Sequence, residues 1–173
     1  IMYQAFNWKF NRKSFEEHLK ESGLKSYNYY YEVGSRREEI DKEIMYSKLD
    51  NFLNEEGVIN GSQVQDYFFP KLKKDIFISH SFSDRELALA ISGYLKEVYD
   101  LETFIDSTVW GSMYNLLKTI DEQYCLQTNG LYSYEKRNYS TSHVHMMLSI
   151  ALSQMIDESE VLFFLNTPNS ITN

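Results

Sequence analysis

The chain has 173 residues, with 43% hydrophobic and 16% aromatic side chains, two prolines and seven glycines. That is enough apolar material for one domain, or for one domain plus an extension, and it argues against disorder over most of the length. Net charge is -8; residues 1–74 balance 12 Lys/Arg against 12 Asp/Glu, whereas residues 75–173 hold 5 against 13. A phosphate-backbone binder needs clustered Lys/Arg, so nucleic acid is excluded as an expected partner of the second half. Cys125 is the only cysteine, which removes any disulfide framework or CxxC metal site within the chain and fits a reducing compartment. No apolar run reaches the roughly 18 residues of a membrane span. The first ten residues lack a signal peptide's apolar core, so no membrane partner and a cytoplasmic location are expected.

In chain order, residues 12–22 predict a short charged helix, with Phe15 and Leu19 four apart. Residues 26–31 are rich in Tyr and Asn and suggest an aromatic-packed loop or short strand. Ser35-Arg36-Arg37-Glu38 has the form of a capping box and predicts a helix start. Ile40, Ile44, Met45, Leu49, Phe52 and Leu53 then recur at helical period, and Gly57 is a plausible stop. Residues 61–68 predict one short amphipathic helix closed by Pro70. These elements define a helical N-terminal segment, 1–74, of unknown role.

Asp75-Ile76-Phe77-Ile78-Ser79 is a short β-rich run of the kind buried on both faces of a parallel sheet. Ser83-Asp84-Arg85-Glu86 predicts a second capping box, opening a helix with Leu87, Ile91, Tyr94, Leu95 and Val98 on one face. Residues 102–106 predict a second strand and 112–124 a helix. Residues 126–138 predict a polar inserted loop, 142–156 a helix carrying Val144, Met147, Leu148, Ala151, Leu152 and Met155, and 160–165 a third strand. Alternation of strands and helices predicts a parallel sheet flanked by helices. In such sheets ligands bind beyond the carboxyl ends of the strands, here at 79–83, 106–107 and 166–168.

Those strand ends carry a resemblance. Asp75-Ile76-Phe77-Ile78-Ser79-His80-Ser81, followed by Asp84 and a helix, resembles the first strand and loop of Toll/interleukin-receptor (TIR) domains. Thr103-Phe104-Ile105-Asp106 is similar to their second strand, and Ser107-Thr108-Val109-Trp110-Gly111 to the BB loop that ends in glycine before a helix. Glu160-Val161-Leu162-Phe163-Phe164-Leu165-Asn166 resembles the third strand. Residues 126–147 depart from an ordinary TIR domain and are similar to a bacterial branch associated with antiphage defence. The resemblance implies a flavodoxin-like α/β fold over 75–173 behind the helical extension. It also implies either cleavage of the nicotinamide–ribose bond of NAD or assembly with other TIR domains without catalysis. NAD enters as substrate, with no cofactor and no metal. The family's catalytic glutamate lies on a helix after the third strand, which would begin after Asn173. The domain is therefore expected to be incomplete at its C-terminus, and the catalytic residue stays unassigned. A nucleoside-processing enzyme of similar architecture is a third reading.

The candidate ligand residues are Ser79, His80, Ser81, Phe82, Asp106, Trp110 and Gly111. Residues 79–83 join a strand end to a helix N-terminus, whose free N–H groups suit a diphosphate; the alternative is a plain capping loop. His80 and Phe82 would line a ring pocket, or Phe82 would pack under the loop. Asp106 would face the ligand or anchor an Asx turn. A phosphoacceptor role for it lacks the acids needed at the first strand's end. Trp110 covers the site, makes an assembly contact or packs on its own domain. His143 and His145, two apart, would diverge on a helix, so a shared metal is not expected.

Overall fold

The computed structural model describes residues 11–46 and 72–170, side chains 45–46 and 109–112 apart. The expected features at Leu49, Phe52, Leu53, Gly57, 61–68 and Pro70 lie outside the described residues. Five α-helices and a three-stranded parallel sheet make up the described chain. It falls into two compact units. The first comprises the described parts of 1–39, 74–107 and 159–173, and the second those of 40–73 and 108–158.

In the first unit, α1 spans Arg12–Glu21. Asn11 accepts the Ser14 N–H at 2.9 Å and Ser14 Oγ accepts the Asn11 N–H at 3.2 Å. This reciprocal cap satisfies orphan donors and fixes the helix start. Phe15 and Leu19 form its buried face. Helix α2 runs Tyr27–Tyr46, so the Tyr-rich stretch expected as loop or strand is helical. The predicted start at Ser35 lies in mid-helix. The helix begins instead after Ser26, whose Oγ accepts the Tyr29 N–H at 3.3 Å. Burial of Tyr27 and Tyr30, three apart, overrides their weak helix propensity. Arg37 and Glu38, read in the sequence as part of a helix start, make ion pairs with Glu102 and Arg85.

Strand β1 is Ile76–Ser79, followed by a 3₁₀ turn, Phe82–Asp84, and helix α3, Arg85–Tyr99. The helix closes at Asp100 in the left-handed conformation, φ 56°. The predicted Ser83–Glu86 capping box does not form. Asp84 is the N-cap and makes no side-chain cap bond, because its carboxylate is engaged elsewhere. Strand β2 is Thr103–Ile105 and β3 is Val161–Phe164. Both pair parallel with β1 in the order β2-β1-β3. Ile76, Ile78 and Ile105 join Leu87, Leu89, Ile91 and Leu95 of α3, and Phe15, Leu19, Tyr27 and Tyr30 of α1 and α2, in one core. Two glycines seat α2 on α3. A Cβ at Gly34 would overlap the Leu89 carbonyl, and one at Gly93 the Tyr30 carbonyl, so backbone lies directly on backbone.

In the second unit, α4 covers Ser107–Ile120, a π turn follows at Asp121–Cys125, and α5 covers Tyr134–Glu158. The BB-loop-like segment 107–111 is therefore helix rather than loop. The inserted loop expected over 126–138 shrinks to a short bridged turn, Leu126 against Tyr132, with Gly130 at φ 79°. The Asp121 carboxylate organises this turn, accepting from Arg137 Nε at 2.8 Å and from Ser140 Oγ at 3.4 Å. Long-range pairing of this kind is invisible to a periodicity reading. Among the described residues no helix is long and apolar enough to cross a membrane.

Candidate functional site

Parallel pairing brings the carboxyl ends of the three strands together. The backbone continues the sheet there: Asp106 N–H donates to Ile78 O at 3.2 Å and Leu165 N–H to Ser79 O at 2.9 Å. Two polar clusters follow from this alignment.

The first joins the ends of β1 and β2. Asp106 Oδ2 accepts Ser79 Oγ–H at 3.3 Å, and its Oδ1 lies 3.2 Å from His80 Nε2. Backbone N–H groups of His80 and Ser107 also donate to this carboxylate. Burial pushes the Asp106 carboxyl above its ordinary value, against the lowering effects of His80 and these donors. The His80 side chain is 2% exposed. Its Nδ1 lies 2.6 Å from Ser81 O. A carbonyl only accepts, so Nδ1 carries a proton. Nε2 approaches Asp106 off the hydrogen-bond axis and makes no aligned bond, and the buried Ser107 Oγ has no partner. Buried polar atoms are rarely left so, and their exceptions concentrate at sites of function or bound solvent.

The second cluster joins the loops after β1 and β3. Asp84 accepts from Ser81 Oγ at 2.5 Å, from Thr167 Oγ1, and from Asn169 Nδ2 at 2.9 Å. Burial alone would raise the Asp84 carboxyl. The three hydrogen bonds and the nearby His80 outweigh it, so the carboxyl sits below its ordinary value and is ionised at neutral pH. Asp84, Thr167 and Asn169 carry this clasp. Residue spacing gave no sign of it beyond placing Asn166–Pro168 at a strand end, because 83 residues separate Asp84 from Thr167.

Of the expected ligand residues, Ser79, His80, Ser81 and Asp106 thus gather at the strand ends. Phe82 lies on the same loop and is 90% exposed, so it does not pack beneath the loop. The backbone of Trp110 and Gly111 lies within α4, and their side chains lie outside the described residues. His143 and His145 both lie on α5. Among the described residues no group of three or more His, Cys, Asp or Glu is placed to hold a metal. Asp84 is the N-cap residue of α3 but its carboxylate bonds Ser81, Thr167 and Asn169 rather than the helix N–H groups, and its negative charge disfavours an anion there.

Compared with protein-family models, with curated proteins and with solved structures, the chain matches none.

Proposed function

We propose that residues 75–173 form a flavodoxin-like, TIR-like domain that cleaves the nicotinamide–ribose bond of NAD, within a bacterial defence or signalling system inside the cell. The observation that carries this reading is the pair of carboxylates at the strand ends, Asp84 bonded by Ser81, Thr167 and Asn169 and Asp106 next to Ser79 and His80, with the exposed Phe82 ring on the loop that leads to Asp84. The nicotinamide ring of NAD is cationic. An aromatic face and nearby carboxylates attract such a ring, whereas they repel a diphosphate. The strand order β2-β1-β3 supports the reading as well, since flavodoxin-like sheets begin in that order and bind ligands at the β1/β3 switch point.

In the hydrolysis, the bond from ribose C1′ to the ring nitrogen breaks and its electron pair stays on nitrogen, so nicotinamide leaves neutral. Water oxygen bonds to C1′ and releases a proton. Positive charge develops on the ribose, and a negative environment stabilises it. No residue of the chain is assigned as the catalytic carboxylate. Ser79, His80, Ser81 and Asp106 position the loops, and Phe82 meets the ring.

A second reading, a non-catalytic module that docks other TIR domains, is favoured by the deep burial of His80 and by the engagement of both acids with their own loops. The experiment that separates the two is nicotinamide release from NAD, followed chromatographically with the protein at high concentration, beside Phe82→Ala. Release by the parent chain that the folded variant loses supports the enzyme. Absence of release from concentrated, assembled protein sinks it in favour of the module.

A further inference from the structure

The contact between His80 and Asp106 has a chemistry of its own. Nδ1 of the ring faces the Ser81 carbonyl at 2.6 Å and bears the proton. Nε2 therefore turns a lone pair into the space beside Asp106, whose Oδ1 is 3.2 Å away. Two electron-rich atoms face one another there, and Nε2 is buried without a hydrogen-bond partner. A buried acceptor beside a carboxylate is costly unless something positive meets both. Among the described residues His80 is the only ion-pair partner of Asp106, so no Lys or Arg takes that place.

A proton on Nε2 points along the ring axis and misses Asp106, because the carboxylate lies off that axis. A metal ion has the opposite requirement. It sits on the ring axis about 2.1 Å from the nitrogen, and a carboxylate oxygen about 2.1 Å from the ion lies to one side. Two such ligands at roughly 100° around the ion are about 3.2 Å apart, which is the separation found. The supports match as well. An imidazole that binds a metal donates its other N–H to a carbonyl or carboxylate, as His80 does to Ser81. Ser79 Oγ–H holds Asp106 Oδ2 at 3.3 Å and leaves Oδ1 toward Nε2. Ser107, whose N–H also donates to this carboxylate, brings a buried hydroxyl without a partner to the same strand end. The Asp106 side chain is 17% exposed, which gives an ion a way in.

We propose that His80 Nε2 and Asp106 Oδ1 are the protein ligands of a divalent ion of the zinc type, bound at the carboxyl ends of β1 and β2. One imidazole nitrogen with one carboxylate oxygen suits zinc, or cobalt in its place, whereas magnesium and calcium take oxygen ligands. Among the described residues fewer than three His, Cys, Asp or Glu meet here. The site thus falls short of the three or four protein ligands of a catalytic or structural zinc centre. Water completes the shell, and the ion is exchangeable rather than resident. The inference stands on ring and carboxylate geometry and does not depend on cleavage of NAD.

The test is equilibrium dialysis of the 173-residue chain, first stripped with a chelator, against zinc chloride. Cobalt(II) absorption is the second readout, and circular dichroism verifies folding. The parent is expected to take up one zinc ion per chain and to give visible cobalt bands. Asp106→Asn should weaken uptake at least about tenfold, since losing even a supporting hydrogen bond of a metal ligand costs that much, and it should erase the cobalt bands. His80→Gln should do the same; if it does not fold, Asp106→Asn decides alone. The chain has four histidines. The triple variant His18→Ala/His143→Ala/His145→Ala leaves only His80 and should bind zinc as the parent does. No uptake by the parent at free zinc in the hundreds of micromolar overturns the proposal. Uptake that Asp106→Asn leaves intact, or that the triple variant loses, overturns it too, since other groups then hold the ion. The probe is the metal alone, so failure of nicotinamide release leaves these outcomes interpretable.

Discussion

Two carboxylates bracket strand β2, and their environments push them in opposite directions. Glu102 stands just before the strand and Asp106 just after it. Glu102 is partly buried, which would raise its carboxyl. Lys96, Arg37 and Lys74 outweigh that effect and hold it down at about 2, with Lys96 Nζ at 2.8 Å and Lys74 Nζ at 3.6 Å. Asp106 is more deeply enclosed, has one histidine beside it, and is pushed up. One end of the sheet is thus an ion-pair network that ties α2, α3 and β2 together. The other holds the Asp106–His80 contact, with His80 Nε2 and Ser107 Oγ buried and without hydrogen-bond partners. Charges are paired at the amino end of the strands, and buried polar atoms are left unpaired at the carboxyl end.

The largest expected effect comes from breaking the seat that delivers Arg37 to Glu102. Gly34→Ala inserts a methyl into the Leu89 carbonyl, so α2 must lift from α3. A loss on the order of 3 kcal/mol is expected, read as a fall in the urea midpoint. A variant as stable as the parent would show that the backbone contact is not tight. Glu102→Gln comes next. It leaves three cations around a neutral amide and should cost about 1–2 kcal/mol after solvent screening. The pH dependence gives the sign. A carboxyl held at about 2 stabilises the fold fully above its ordinary 4.5, and that contribution is lost as pH falls toward 2. Acid titration of the parent should show this loss, and the variant should lack it.

Asp106 predicts the opposite slope. A carboxyl raised by burial works against folding at pH values above its raised position, and the penalty is relieved as pH falls through that position toward 3.8. Asp106→Asn should therefore stay within about 1 kcal/mol of the parent at neutral pH. Its amide would face the Nε2 lone pair as a donor and keep the Nδ1–H tautomer that the Ser81 carbonyl selects; nitrogen-15 NMR of the ring reads that tautomer directly, and an Nε2–H tautomer would refute it. The smallest effect on stability belongs to Phe82→Ala, under about 0.5 kcal/mol for so exposed a ring. The same change should remove NAD cleavage under the proposed function.

Short-range pattern made part of the fold legible. The β-rich runs at 75–79, 102–106 and 160–165 and the alternation of strand and helix pointed to a parallel sheet, and the three strands, 76–79, 103–105 and 161–164, lie within those runs. Helix starts fared worse. A capping box is a statement about two side chains. At Ser35 the Oγ is buried without a hydrogen-bond partner while Glu38 pairs with Arg85, and at the second box Asp84 rather than Ser83 is the N-cap, with its carboxylate on Thr167 and Asn169. Of the candidate site, Ser79, His80, Ser81 and Asp106 followed from their place at strand ends. The clasp at Asp84 did not, since its acceptors and donors meet only once β3 lies beside β1.

The sequence by itself determined the strands, because an apolar β-branched and aromatic run between polar ends has few other ways to bury itself. It also determined the charge asymmetry and the single thiol. Tertiary structure decided the rest. It chose which carboxylate sits below its ordinary value and which above, and which serine caps a helix. Those outcomes depend on the distance to groups tens of residues away, and on how much water the packing leaves around them.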